Sequence, residues 1–377
     1  MTKTRTFLLT LVCFTHILSQ AVADELPSLA GDDVFNLQYA SQPVMSPDGN
    51  WVLYTHISAE RATDKFESAL VCLNLKTGES RRTLRKYSIA SVPVWHNNSE
   101  QYAVSVEKAG SNHIVFMRPG KAGPADVITT DVSAKNLAWD QQGKRIIFNG
   151  FVKEAQNRLV DVPKEAQSGA WAPPVIEIER AVYRRDGKGY LKHGNQQLFL
   201  LNLADKSIQQ LTDTTFDHSG PFSWNDDHTV FFSGQLYEGW EHQPRNVIIY
   251  SIDVVDKKIT PVITNNGPAK KPSVIHSTGE LAFIGFKDHG ASYQQNDIQI
   301  YDPENKVLRN VTQEFDRDIT DIQTCKNGFI YFRYDDRGVG KLGSYDPRTQ
   351  KLQTGIVSDV GGTSIGRPYS GGSFSTS

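Results

Sequence analysis

Short apolar runs alternate with polar turns along the chain, and no long stretch carries an apolar period of 3.6 residues. Only residues 32–40 suggest a helix, and a short one. Trp51-Val52-Leu53-Tyr54 is a β-rich run behind the turn Ser46-Pro47-Asp48-Gly49. Pro presets φ at the second turn position, and Gly accepts the positive φ that a tight turn needs. Related units follow at Val94-Trp95-His96-Asn97-Asn98, Leu137-Ala138-Trp139-Asp140, Phe222-Ser223-Trp224-Asn225, Val274-Ile275-His276 and Ile322-Gln323-Thr324-Cys325. Their spacing is about 45–50 residues, apart from one gap near twice that. An insertion at about 149–195 fills this gap.

A second unit recurs between these turns: an apolar strand, a turn and another strand. Its copies are 70–78, 198–213, 247–253, 298–312 and 341–346. Four short half-buried strands per repeat describe a propeller blade. The expected fold is all-β: a β-propeller of six four-stranded blades plus the start of a seventh. The blades fall at about 42–90, 91–130, 131–213 (with the insertion), 214–265, 266–314 and 315–358, and 359–377 begins the seventh. A blade is buried only against its neighbours, so an incomplete seventh should leave two apolar faces exposed. A closed six-bladed ring with a loose Gly/Ser-rich tail is the alternative.

At the N-terminus, Lys3 and Arg5 precede an apolar run over 7–18, followed by Ala21-Val22-Ala23. A positive start, an apolar stretch too short to span a bilayer and an A-x-A site predict a signal peptide at 1–23, cleaved after Ala23. The propeller then occupies 24–377, and the protein is expected to be secreted or periplasmic, with no membrane span after signal removal. Cys13 leaves with the signal. Cys72 and Cys325 could then form a disulfide in an oxidising compartment, or remain two buried thiols.

The 377 residues include 40 Lys or Arg and 42 Asp or Glu, for a formal charge of −2. That balance argues against nucleic acid or an anionic membrane as partner, since both require a clustered basic face. With 29 Gly, 17 Pro and 10% aromatic residues, the composition suits many short strands and tight turns. Three cysteines are too few for a disulfide-built scaffold.

Catalytic signals are sparse. Gly362-Thr363-Ser364-Ile365-Gly366 matches the G-x-S-x-G nucleophile pattern, but no Asp, Glu or His follows Ser364. The order Ser, Asp, His of an α/β-hydrolase triad cannot be met, so no catalytic residue is assigned. The histidines are scattered, without metal-ligand spacing, and Asp316-Arg317-Asp318 and Asp335-Asp336 lack the ladder of a calcium loop. No metal and no cofactor is expected. Asn97-Asn98-Ser99 and Asn310-Val311-Thr312 are glycosylation sequons, relevant only in a glycosylating host. The insertion carries the one distinctive constellation: Arg180, Tyr183, Arg184, Arg185, Asp186 and Tyr190, around the hairpin turn Arg185-Asp186-Gly187-Lys188. These groups could bind a ligand carboxylate or dock a partner domain, or form a solvated surface hairpin.

Residues 34–49, from Val34-Phe35-Asn36-Leu37 to Ser46-Pro47-Asp48-Gly49, resemble the opening of the propeller in the prolyl oligopeptidase family of serine peptidases. Tyr183-Arg184-Arg185-Asp186-Gly187-Lys188-Gly189-Tyr190, with Gln197-Leu198-Phe199-Leu200 and Gln210-Leu211-Thr212-Asp213, resembles its acylaminoacyl-peptidase and dipeptidyl-peptidase-like branch. Gly361-Gly362-Thr363-Ser364-Ile365-Gly366-Arg367-Pro368-Tyr369 is similar to a late-propeller connector of exported bacterial members. The resemblance implies a propeller that filters peptide substrates for a C-terminal α/β-hydrolase domain. That domain, which would hold the whole triad, has no counterpart in this chain, so the chain alone is expected to be inactive. Single turn motifs also fit TolB-type propellers, which implies a stand-alone periplasmic scaffold for a protein partner as the alternative.

Overall fold

The computed structural model describes residues 28–85, 87–154, 177–362 and 372–377. The expected signal peptide, Cys13 and Ser364 lie outside the described residues.

Six four-stranded antiparallel sheets follow one another along the chain, each pairing its strands in sequence order. Blade one comprises β1 (Gln38–Met45), β2 (Trp51–Glu60), β3 (Lys65–Asn74) and β4 (Ser80–Thr83). In blade two the inner strand is split into β5 (Ser88–Ile89) and β6 (Val94–Trp95), with Pro93 in the break. Both pieces pair with β7 (Tyr102–Lys108), which leads to β8 (Ser111–Met117) and β9 (Pro124–Thr130). Blade three has β10 (Lys135–Trp139) and β11 (Arg145–Lys153), then the separate hairpin β12 (Arg184–Arg185) and β13 (Gly189–Tyr190), then β14 (Gly194–Asn202) and β15 (Ile208–Gln210). Blade four is β16 (His218–Trp224), β17 (Thr229–Gly234), β18 (Ile248–Asp253) and β19 (Ile259–Ile263). Blade five is β20 (Ala269–Ile275), β21 (Glu280–Gly285), β22 (Asp297–Asp302) and β23 (Val307–Asn310). Blade six is β24 (Ile319–Thr324), β25 (Ile330–Asp336), β26 (Val339–Asp346) and β27 (Lys351–Val360).

The helix expected at 32–40 needs correction. Only a short 3-10 segment forms, over Gly31–Asn36, and residues 38–40 enter β1. An isolated short helix is marginal, whereas Gln38, Tyr39 and Ala40 gain partners in Ser58, Ile57 and His56 of β2.

Register shifts occur at one place in the inner strands β1, β10, β16, β20 and β24, as at Ser41/Val44 and Lys270/Ser273. Three of these irregularities carry a proline: Pro43, Pro221 and Pro272. Each of these strands pairs with a single neighbour, and an edge strand tolerates the missing N–H.

The core is divided among the seams between blades. Leu53, Leu70, Cys72, Tyr102 and Val104 fill the first seam, for example, and Ile300, Ile322, Phe332 and Tyr345 the fifth. The tryptophans of the repeat bridge these seams. Trp95 Nε1 donates to Val44 O at 3.0 Å, Trp139 Nε1 to Val94 O at 3.3 Å and Trp224 Nε1 to Ala138 O at 3.3 Å. A buried indole needs such a partner, and the preceding blade supplies it.

The C-terminal residues 372–377 lie between blade six and blade one. Gln323 Nε2 donates to Phe374 O at 2.8 Å, and Met45 N donates to Ser375 Oγ at 2.9 Å. The second bond repeats the tie between Val274 N and Ser223 Oγ at 2.9 Å across the seam of blades four and five. Ser375 thus stands where the inner strand of a seventh unit belongs, and Phe374 is buried there. The facing side of blade six is not the purely apolar surface expected. Its cross-strand row joins Arg333, Leu342 and exposed Val357, and Arg333 Nη1 pairs with Asp335 Oδ1 at 2.9 Å.

Cys72 and Cys325 are free thiols, so the disulfide considered from sequence is not formed. Cys72 is packed with Leu53 and Leu70 inside the first seam, while Cys325 follows β24 in blade six. Burial pushes both thiols above their ordinary pKa. Both sequon asparagines hold the fold. Asn97 Nδ2 donates to Asp140 O and Gln141 O across a seam, and Asn310 Nδ2 donates to Asp297 Oδ2.

Candidate functional site

The inserted hairpin forms because Gly187 and Gly189 adopt φ of +75° and +73°, conformations that other residues rarely take. Lys188 N closes the turn on Arg185 O at 3.1 Å, and Leu191 N closes the base on Tyr183 O at 2.8 Å. The Tyr183 and Tyr190 rings then stack at 6.1 Å, both half exposed.

The insertion emerges from blade three but is held by blade four. Glu241, in the short 3-10 segment Trp240–His242, accepts Ala181 N at 3.1 Å and Val182 N at 3.4 Å through its two carboxylate oxygens. Arg180 turns back to blade three, donating to Asn195 Oδ1 at 3.2 Å with Glu154 at 4.0 Å. A cavity of about 400 Å³ opens beneath, lined by Phe151, Arg180, Tyr183, Arg185, Tyr190 and Trp240, among others. Four of the six residues singled out from sequence therefore line one cavity: Arg180, Tyr183, Arg185 and Tyr190. Arg184 and Asp186 do not line it.

Four acidic residues, Glu177, Glu179, Asp217 and Glu241, are in the lining, and the side chains of the last two are engaged within the protein. Glu241 holds the two N–H groups above, and Asp217 Oδ1 accepts Gln196 N at 2.7 Å. Arg185, Lys188 and Lys192 also line the cavity, and their side chains have no hydrogen-bonding or ion-pair partner among the described residues. Uncommitted cations beside aromatic faces can take a carboxylate together with an apolar or aromatic group. His218 is buried just behind, with Nδ1 3.0 Å from Phe216 O, and burial pushes its pKa down. Trp240 and Glu241 were missed by the sequence reading. Their signal was the long loop between β17 and β18, but nothing local tied it to the insertion.

Glu241→Ala is expected to free the base of the hairpin. Limited trypsin digestion should then cut at Arg184 and Arg185 several times faster, because cleavage follows the population of locally opened states.

The aspartate-rich spots of blade six form ion pairs. Asp336 receives Lys341 Nζ at 2.7 Å and Arg317 Nε at 2.8 Å. The hydrogen bond from Lys341, then that from Arg317, brings the Asp336 carboxyl down to about 2. A lowered carboxyl contributes stability above its unfolded value of about 3.9, and this is lost as pH falls towards the folded value. Asp336→Asn should therefore flatten the fall in melting temperature between roughly pH 4 and pH 2. Among the described residues no three His, Cys, Asp or Glu side chains converge as metal ligands, and no helix is long and apolar enough to cross a membrane.

No protein-family model matches the chain. Its sequence is 22% identical over 211 residues to the uncharacterized peptidase YuxL of Bacillus subtilis (strain 168), covering 56% of this chain and 32% of that protein. In structure it is similar to the acylaminoacyl peptidase of Pyrococcus horikoshii, with a TM-score of 0.65 and 15% identity over 87% of this chain and 47% of that one. It is also similar to the β-propeller domain of the Trilobed protease from Pyrococcus furiosus, with a TM-score of 0.54 and 16% identity over 84% of each chain. The chain spans about a third of the curated relative and about half of the acylaminoacyl peptidase. It has the fold of the β-propeller domains of acylaminoacyl peptidase and prolyl oligopeptidase.

Proposed function

We propose that this chain is the substrate-gating propeller of an exported serine peptidase acting on peptides, and that it is inactive without an α/β-hydrolase domain. The observation that carries this reading is the likeness, over 87% of this chain, to the propeller half of acylaminoacyl peptidase. The partial sequence match to a peptidase supports it further. In this reading the ring selects and does not react: unfolded peptides pass, and folded proteins are excluded by size. The hairpin cavity, with its uncommitted Arg185 beside Tyr183 and Tyr190, is where the propeller would touch the peptide or its hydrolase partner. The signal-like N-terminus supports secretion in this reading.

The test is the intact mass of the native protein purified from its source. A hydrolase domain on the same polypeptide would bring it to about 70–80 kDa. A native mass close to 40 kDa, roughly that of the chain without its signal, with no hydrolase co-purifying, would overturn the reading in favour of a stand-alone scaffold.

A further inference from the structure

The seam between blades one and two carries an open groove of about 490 Å³, lined by Arg81, Arg82, Arg85, Tyr87, Lys108 and Pro124, among others. Arg81 and Arg82 lie on β4, and Arg85 and Tyr87 on the link to β5. Lys108 ends β7 and Pro124 begins β9. Lys108 pairs with Ser111 at one end of β8, and Pro124 with Met117 at the other.

No carboxylate lines this groove, and among the described residues none of its four cations forms an ion pair. Arg82 Nη2 meets only the His56 Nδ1 nitrogen, at 3.2 Å, and Lys108 Nζ sits 5.0 Å over the Tyr87 ring. Four uncompensated positive charges therefore gather on a chain whose formal charge is −2. Whole-chain charge balance argues against a clustered basic face, yet Arg81, Arg82 and Arg85 lie in one short run, and folding adds Lys108 from the neighbouring blade. Such a cluster raises the local concentration of anions, and guanidinium forks match carboxylates in paired hydrogen bonds.

Two observations favour an extended ligand over a compact anion. The groove, at about 490 Å³, is far larger than one phosphate. In addition, among the described residues β4 pairs only with β3, so its outer edge offers N–H and C=O groups that an extended chain could take up. We propose that this seam binds an extended acidic peptide segment, with its carboxylates on Arg81, Arg82, Arg85 and Lys108. The proposal does not depend on the gating function and lies apart from the hairpin cavity.

The test is fluorescence anisotropy of a fluorescein-labelled penta-glutamate peptide titrated with the full chain at low salt. Saturable binding is expected, weakening as salt rises. The double variant R81Q/R85Q should bind about tenfold or more weakly, and K257Q, in blade four, should bind as wild type. If R81Q/R85Q does not fold, R82Q/K108Q replaces it with the same expectation. Binding that is absent, or unchanged in folded groove variants, would overturn the proposal. So would tighter binding of a thymidylate oligonucleotide of equal length, which would mark a phosphate-backbone site instead.

Discussion

Trp139→Ala is expected to destabilise the protein by about 3–5 kcal/mol, the range for removing a large aromatic side chain from a core. Trp139 is buried in the seam of blades two and three, edge-on to His96 at 4.8 Å and to Phe116 at 5.9 Å. The seam cannot close over the loss, because both walls are sheets whose register is fixed by their own ladders. Two contributions add: the lost apolar burial and the Val94 carbonyl left without its indole donor. Trp139→Phe helps to separate them, since it keeps most of the packing but loses the donor, at a cost of about 1–2 kcal/mol for the hydrogen bond. Urea unfolding followed by circular dichroism reads both variants. A Trp139→Ala protein as stable as the parent would mean that the seams do not carry the core.

The second large effect is expected at Asp140, a carboxylate almost completely buried in the turn after β10. Its Oδ1 accepts Lys144 N at 2.7 Å and Arg145 N at 3.2 Å, and its Oδ2 pairs with Arg145 Nε at 2.8 Å. Arg145 in turn lies 5.2 Å over the Trp224 ring and donates to Asp227 O in blade four. Asp140→Ala strands two turn N–H groups and leaves a partly buried guanidinium without its counter-charge, so a loss of about 3 kcal/mol is expected. The double variant Asp140→Ala/Arg145→Met should lose less than the sum of the single losses, because the stranded charge is gone. Strict additivity in that cycle would show that the two residues stabilise the blade separately.

The sequence revealed most where the determinants are local. Ser46-Pro47-Asp48-Gly49 and the Val94-Trp95 type of step follow from turn chemistry and a two-residue alternation, so six repeats could be placed within a few residues of the observed blades. The hairpin at 184–190 was legible for the same reason, since its two glycines sit in a turn context. What was not legible depends on residues far apart in the chain. Glu241 meets Ala181 across 60 positions, and neither residue is unusual where it stands. The grip of Ser375 on Met45 spans 330 positions and exists only because a ring brings its ends together. The basic seam was hidden by averaging, because the arginines at 81, 82 and 85 were counted against acids elsewhere on the ring. At 32–40, local helix signals were real but too short to compete with a sheet edge.

The propeller is proposed to select peptides and to leave the chemistry to another domain. The most direct test is to treat the purified chain with a fluorophosphonate probe and, in parallel, a panel of acylated and free-amino peptides. No labelled serine and no hydrolysis above buffer are expected. A stoichiometrically labelled serine on the purified chain, with peptide cleavage abolished by the same probe, would contradict this reading.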